Sequence, residues 1–277
     1  MRRAVMTAAA VLTLAVATAA QPAFAAPPGG KGPAPSALGI DVSWPQCGTT
    51  LPSGQAFGIV GVTGGLATTT NPCLADQLAW AAKSTGATKQ AKVQLYVNTA
   101  NPGGLGTASW PTSSTSGNPY GTCDGSDSLA CAWQYGWNRA QEDVDQRFAP
   151  AAQTAEVSAN PADYVWWLDV ELENTWKTGG TDADRASNRA VLEGMTAHFV
   201  SRGGAVGLYA TPYQWGQIAG TVPAGSNLAG RDEWHPGART QRGAERACTE
   251  ATLTPGGRIS LAQFVSGGLD YNVSCIG

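Results

Sequence analysis

Four acidic residues of this 277-residue chain stand where carboxylates can act together. Asp169 and Glu171 close the bulky apolar run Tyr164-Val165-Trp166-Trp167-Leu168, Asp41 ends Leu38-Gly39-Ile40-Asp41, and Asp270 lies in Leu269–Val273. Side chains alternate along a strand, so Asp169 and Glu171, two apart, point to one side. Two acids at the end of an apolar strand cost free energy unless they are paired, hydrogen-bonded or in use. Glycosidic bond cleavage is one such use. It needs a protonated carboxyl to assist the leaving oxygen and a second negative group to steady an oxocarbenium-like centre. Crowding acids on an apolar support is a way to hold one pKa high and another low. A lone Asp at a strand end reads more simply as a rim ion pair or a helix cap. Four acids with an Asp-x-Glu pair among them favour chemistry.

The segments that must carry these acids alternate in type. β-type runs cover Leu38–Val42, Phe57–Val62, Lys92–Val97, Tyr164–Glu171 and Ala205–Ala210. Helical patterns fall between them at Leu74–Lys83, Leu129–Phe148 and Asp182–Arg202, with a short helix after Pro212. Thr181 or Asp182 can cap the third helix, which ends before Gly203-Gly204. Beyond Gly220 the helical patterns fade, and Ser226–Ala229, Arg258–Phe264 and Leu269–Val273 read as three further strands. Repeated βα units predict parallel strands. Eight strands at this length predict an irregular TIM-like (β/α)5β3 barrel, a single α/β domain over residues 38–277. Active sites of such barrels sit at the carboxyl-terminal rim. The first and last strands of a closed barrel are neighbours, so Asp41 and Asp270 are expected side by side. Asn101–Ser128 is a long Gly/Ser/Thr/Pro stretch, and loops of that length are usually functional or mobile.

The beginning of the chain predicts export. Arg2 and Arg3 precede an unbroken apolar run from Ala4 to Ala20, and Ala23-Phe24-Ala25 offers the small residues a signal peptidase reads. Residues 1–25 are therefore expected to be a secretory signal cleaved before Ala26, and residues 26–37 (APPGGKGPAPSA) a Pro/Gly linker. Gln21 and Pro22 end the apolar run short of a bilayer crossing. All six cysteines follow the cut, and an even count in an exported chain reads as disulfides. Count alone leaves the pairing open; sequential neighbours are expected, Cys47 with Cys73, Cys123 with Cys131 and Cys248 with Cys275. Zinc is disfavoured, because there is no Cys-x-x-Cys and neither His198 nor His235 is near a cysteine in sequence. The first strand is followed by no G-x-G-x-x-G, and phosphate loops, G-x-S-x-G elbows, His-Glu-x-x-His helices and calcium loops do not occur, so no cofactor or metal is expected. The formal charge is −3, or −5 once Arg2 and Arg3 are removed, which argues against nucleic acid. A wall glycan would have to be held by shape, aromatic rings and hydrogen bonds. A secreted monomer, free of the membrane after cleavage, is expected.

These residues together resemble glycoside hydrolase family 25, the lysozymes of the N-acetylmuramidase type, and within it an actinobacterial secreted branch. The resemblance is carried by Gly39-Ile40-Asp41-Val42-Ser43, Trp167-Leu168-Asp169-Val170-Glu171, Gly207-Leu208-Tyr209, Gln263-Phe264 and Asp270-Tyr271-Asn272, in family order from Leu38 to Cys275. It implies the barrel already read from the pattern. It also implies that Glu171 is the general acid and Asp169 its partner, acting as nucleophile, stabiliser or orienter of a 2-acetamido group. Asp41 and Asp270 become rim acids that shape the site, and Tyr209, Gln263, Tyr96 and Trp44 become substrate-side groups. The substrate so implied is peptidoglycan or a related glycan, cut at β-1,4 links. Two places depart from the family pattern. The third strand ends Tyr96-Val97-Asn98 where members have a Tyr-His-Phe-like segment, and Asn227-Leu228-Ala229-Gly230 lacks the Trp usual in the sixth strand, a place Trp215 or Trp234 could fill. Those departures leave room for a hydrolase of another N-acetylated glycan; the other rivals are a barrel that binds wall glycan without cutting it and a stable exported barrel with relic acids.

Overall fold

A computed structural model describes residues 37–104, 107–115 and 117–276. The expected signal segment, and all of the expected linker but Ala37, lie outside the described residues. The described chain falls within one compact unit and forms a closed eight-stranded barrel in sequence order. Its strands are β1 (Leu38–Val42), β2 (Gly58–Gly61), β3 (Val93–Asn98), β4 (Val165–Asp169), β5 (Ala205–Tyr209), β6 (Asp232–Ala238), β7 (Arg258–Ser266) and β8 (Leu269–Ser274). The strands β1 to β7 run parallel, and β8 closes the barrel antiparallel to both β7 and β1.

Outside the barrel lie α1 (Leu74–Ala81), α2 (Leu129–Glu142), α3 (Ala149–Thr154), α4 (Asp182–Ser201), α5 (Pro212–Ile218) and α6 (Gln241–Ala247). A π-helical turn, Asp143–Phe148, joins α2 to α3, so this helical segment runs six residues past the Phe148 end expected from sequence. The helix α4 starts where its cap residues put it. Thr181 and Asp184 form a reciprocal capping box that satisfies two backbone N–H groups. Thr211 and Gln214 do the same for α5. Among the described residues no helix is long and apolar enough to cross a membrane.

Two expectations need correction. Ser226–Ala229 is not a strand but a turn; the sixth strand is Asp232–Ala238. Hydrophobic patterning misses it because two of its buried residues are polar. Glu233 accepts hydrogen bonds from the Leu253 and Thr254 backbone N–H groups and from the Thr254 hydroxyl, and it pairs with His235 at 3.1 Å. Those partners satisfy a carboxylate that would otherwise be costly to bury. The second correction is α6, a short helix between β6 and β7 that buries only Ala244 and Ala247 and so leaves no periodic stripe to read.

The barrel interior is filled by Ala56, Phe57, Ile59, Trp167, Trp234 and Leu261. Two strand glycines make room for these rings. A Cβ on Gly39 would stand 2.1 Å from the Phe57 ring, and one on Gly207 would stand 2.2 Å from Trp167. A larger apolar cluster, including Leu78, Leu95, Trp133, Phe148, Trp166, Leu192 and Phe199, joins strand and helix residues. Three disulfides add to these contacts: Cys47–Cys73 between the loops that follow β1 and β2, Cys123–Cys131 from the long loop into α2, and Cys248–Cys275 from the end of α6 to the residue after β8. Closing such loops restricts the unfolded chain and so favours the folded one.

Candidate active site

Strand register assembles the site. Asn98, Asp169, Tyr209 and Trp234 are paired in succession across β3, β4, β5 and β6. The first two residues end their strands, at the carboxyl-terminal rim, and Tyr209 ends β5. On the other side of the barrel Asp41 pairs with Asp270 across the β1–β8 seam, and Gln263 pairs with Asn272 across β7–β8. All four acids named from sequence line one cavity of about 270 Å³, together with Val42, Ser43, Pro45, Gln46, Tyr96, Tyr209, Trp234 and Gln263. That volume lies near the lower end of small-molecule sites. No Lys or Arg is among the residues lining it.

Glu171 differs from its expected setting. The strand ends at Asp169 and Glu171 lies in the turn beyond it, yet its carboxyl reaches hydrogen-bonding contact with that of Asp169. The turn is anchored by its own backbone: the Glu171 carbonyl accepts the indole N–H of Trp176 at 2.9 Å and the N–H of Asn174 at 3.2 Å. Asp169 is nearly sealed, at 4% exposure, whereas Glu171 is half-buried. Burial, then the neighbouring Glu171, pushes the Asp169 carboxyl well above the carboxylate range. Burial, then the charge of Glu173, raises Glu171 as well. Like charges so close cannot both ionise readily, so the two carboxyls titrate as a coupled pair that binds its first proton more tightly than a lone acid would.

Asp41 is held from three directions. Gln263 Nε2 donates to both of its oxygens, at 3.1 and 3.2 Å, and Asn272 Nδ2 donates to Oδ1 at 2.6 Å. Tyr209 donates its hydroxyl to Gln263 Oε1 at 3.2 Å, so Tyr209 is tied through Gln263 to Asp41. Burial, then the charge of Asp270, outweighs these donors and raises Asp41 to about 8. Burial raises Asp270 too. The walls between these acids are aromatic. Trp234 stands edge-on to Tyr209 at 4.5 Å between ring centroids and to Tyr96 at 6.4 Å. Tyr96, Tyr209 and Gln263 therefore line the cavity, while Trp44 does not. Trp44 stands in the loop after β1, 49% exposed, with its indole over Gly65.

Of the two rings the sequence offered in place of the missing sixth-strand Trp, Trp234 lines the cavity and Trp215 does not. Three amide side chains were not singled out as site residues. Asn98 donates to Asp169 Oδ2 at 2.5 Å, and Asn272 supports Asp41. Gln214, at the start of α5, donates to Glu173 at 3.4 Å and also supports Glu171. Asn98 and Asn272 do carry a signal, since both stand at strand positions in register with a neighbouring site residue. Among the described residues no cluster of His, Cys, Asp and Glu fit to hold a metal ion occurs.

No family model matches the chain, and no curated protein matches it. Among solved structures, the chain is similar to a bacterial lysozyme from Streptomyces coelicolor at 12% sequence identity. The alignment covers 86% of this chain and 92% of that one, with a TM-score of 0.44.

Proposed function

We propose that the protein is a secreted glycoside hydrolase of the family 25 muramidase type, cutting β-1,4 links of peptidoglycan. The observation that carries this reading is the carboxyl pair Asp169–Glu171, in contact at the floor of a polar cavity with aromatic walls. Glu171, the more exposed of the two, is the general acid. On this reading the pair holds one proton, and as a glycosidic oxygen enters it passes from Asp169 to Glu171 and from there to the leaving oxygen. Asp169 is left as the anion beneath the sugar, where it steadies positive charge at the anomeric carbon or orients a 2-acetamido group. Asp41 and Asp270 keep the far wall negative or proton-rich according to pH, and Tyr209, Tyr96 and Trp234 supply stacking and hydrogen-bonding surface. The pocket suits a neutral sugar unit, since no cation lines it. The expected signal segment and the three disulfides support a role outside the cell.

Incubating the purified protein with purified peptidoglycan should release new reducing ends, and Glu171→Gln should abolish that release. Release from chitin but not from peptidoglycan would move the substrate to another N-acetylated glycan. Binding without release in the wild type would leave a glycan-binding barrel and reject hydrolysis.

A further inference from the structure

Asp169 is held unevenly. Its Oδ2 accepts the Asn98 amide at 2.5 Å, while its Oδ1 is buried and receives no hydrogen bond from a donor. The Asn98 amide can present only its N–H group to Asp169, because its other end is fixed. Thr63 Oγ1 donates to Asn98 Oδ1 at 2.8 Å, and it accepts the Asn98 backbone N–H at 2.9 Å. Thr63 itself is buried, 1% exposed, and forms an antiparallel bridge with Thr70. Thr63, Asn98 and Asp169 thus lie across three neighbouring strand ends as a directed chain of hydrogen bonds, running hydroxyl to amide to carboxyl. Such chains polarise along their length and fix which atom is donor and which is acceptor.

We propose that Asn98, oriented by Thr63, is a positioning residue for the acid pair. Its N–H marks Asp169 Oδ2 as a permanent acceptor, leaves Oδ1 to carry the proton, and stabilises the Asp169 carboxylate that forms when that proton passes to Glu171. The step balances without any further reactant: the O–H bond at Asp169 Oδ1 breaks, an O–H bond forms on Glu171, and the negative charge moves from Glu171 to Asp169. Neither Asn98 nor Thr63 lines the cavity, so neither needs to touch the sugar. The charged and titratable groups facing Asp169 are Glu171 and Glu173 from the turn after β4, Tyr96 from β3 and Tyr209 from β5, with Asp41 and Asp270 across the cavity. None of these supplies a cation, which leaves the Asn98 amide as the group that favours the anion. This role rests on the hydrolase reading for its consequence in turnover, but the proton's location can be read without any turnover.

The test is a carboxyl carbon-13 NMR titration of aspartate-labelled protein, with Asp169 assigned by comparison with Asp169→Asn, run beside pH–rate profiles. Asn98→Ala should raise the Asp169 titration and move the basic limb of the rate profile to higher pH. It should lower kcat by between about 10- and 100-fold with little change in KM, the scale of a mispositioned catalytic group. Thr63→Val keeps the shape of the side chain but removes the hydroxyl. It should shift both titration and profile in the same direction by less, and Thr63→Ser should restore them. An Asp169 titration that stays at the wild-type position in folded Asn98→Ala and Thr63→Val would overturn the proposal, whatever happens to activity. If the wild type proves inactive on every glycan, the hydrolase reading fails alone; the titration still decides whether Asn98 sets the pair's proton.

Discussion

Asp41 and Asp169 are both nearly sealed at the same rim, but their neighbours treat them differently. Asp41 receives three amide hydrogen bonds, two from Gln263 and one from Asn272. Asp169 receives one, and one of its oxygens is left without a donor. Donors lower the cost of burying a carboxylate, and at Asp41 they offset part of the burial that raises it to about 8. Asp169, with one such donor and Glu171 beside it, is raised with less to offset it. The first arrangement belongs to the seam where the last strand meets the first, the second to the end of β4 beside Glu171. On the hydrolase reading the same residue type frames one side of the cavity and reacts on the other, and the two differ in the number of hydrogen bonds aimed at them.

The sharpest way to break this contrast is at the reactive side. Glu171→Gln should reduce turnover by about 10²- to 10⁴-fold, the usual share of general acid catalysis, while the melting temperature stays close to wild type. A substrate with a good leaving group needs little protonation, so it should rescue Glu171→Gln far more than Asp169→Asn. If Glu171→Gln turns over polymeric glycan normally, the acid is another group, with Glu173 the nearest. At the seam the order of effects should invert. Asn272→Ala strips a buried donor from Asp41 and should cost about 1–3 kcal/mol of stability by chemical denaturation, with a smaller loss of activity than either acid variant.

A subtler comparison uses pH. Asp41 titrates at about 8 in the folded protein against 3.8 for the free side chain. A raised acid binds a proton in the folded state that the unfolded chain has already released. Its stabilising contribution is therefore full below about pH 4 and is lost as pH rises through about 8. Calorimetric melting temperatures should fall across that window, and Asp41→Asn should flatten the fall without removing it, because Asp169, Glu171 and Asp270 are raised as well. The smallest effect is expected at Trp44, which is exposed and stands outside the cavity wall. Trp44→Ala should change stability by no more than about 0.5 kcal/mol, and any role in glycan binding should appear as a change in KM alone.

Much of this was legible before the structure. The seven strands that buried apolar runs announce all formed, and the four acids converge because barrel closure puts first and last strands side by side. The sixth strand was hidden because Glu233 and His235 are buried against the 250s loop rather than replaced by apolar residues. Trp234, the ring that packs against both site tyrosines, was named beside Trp215 but without the strand that carries it. The amides were harder still. Asn98, Asn272 and Gln214 look like ordinary polar positions, and their roles depend on which carboxylate stands across the register from them.

The β1–β8 seam has a consequence in time as well as in space. The hydrogen bonds that hold Asp41 join residues 222 and 231 positions apart, among the most distant contacts in the chain. Contacts of such long range form late, because loop-closure entropy must be met before they contribute. Asp41 is among the first residues of the barrel to be made, yet it stays unsupported until Gln263 and Asn272 arrive. During synthesis, then, the wall opposite the acid pair is absent until the last strands are made. On the hydrolase reading, a glycan-cutting site takes shape only when its last strand has closed against its first.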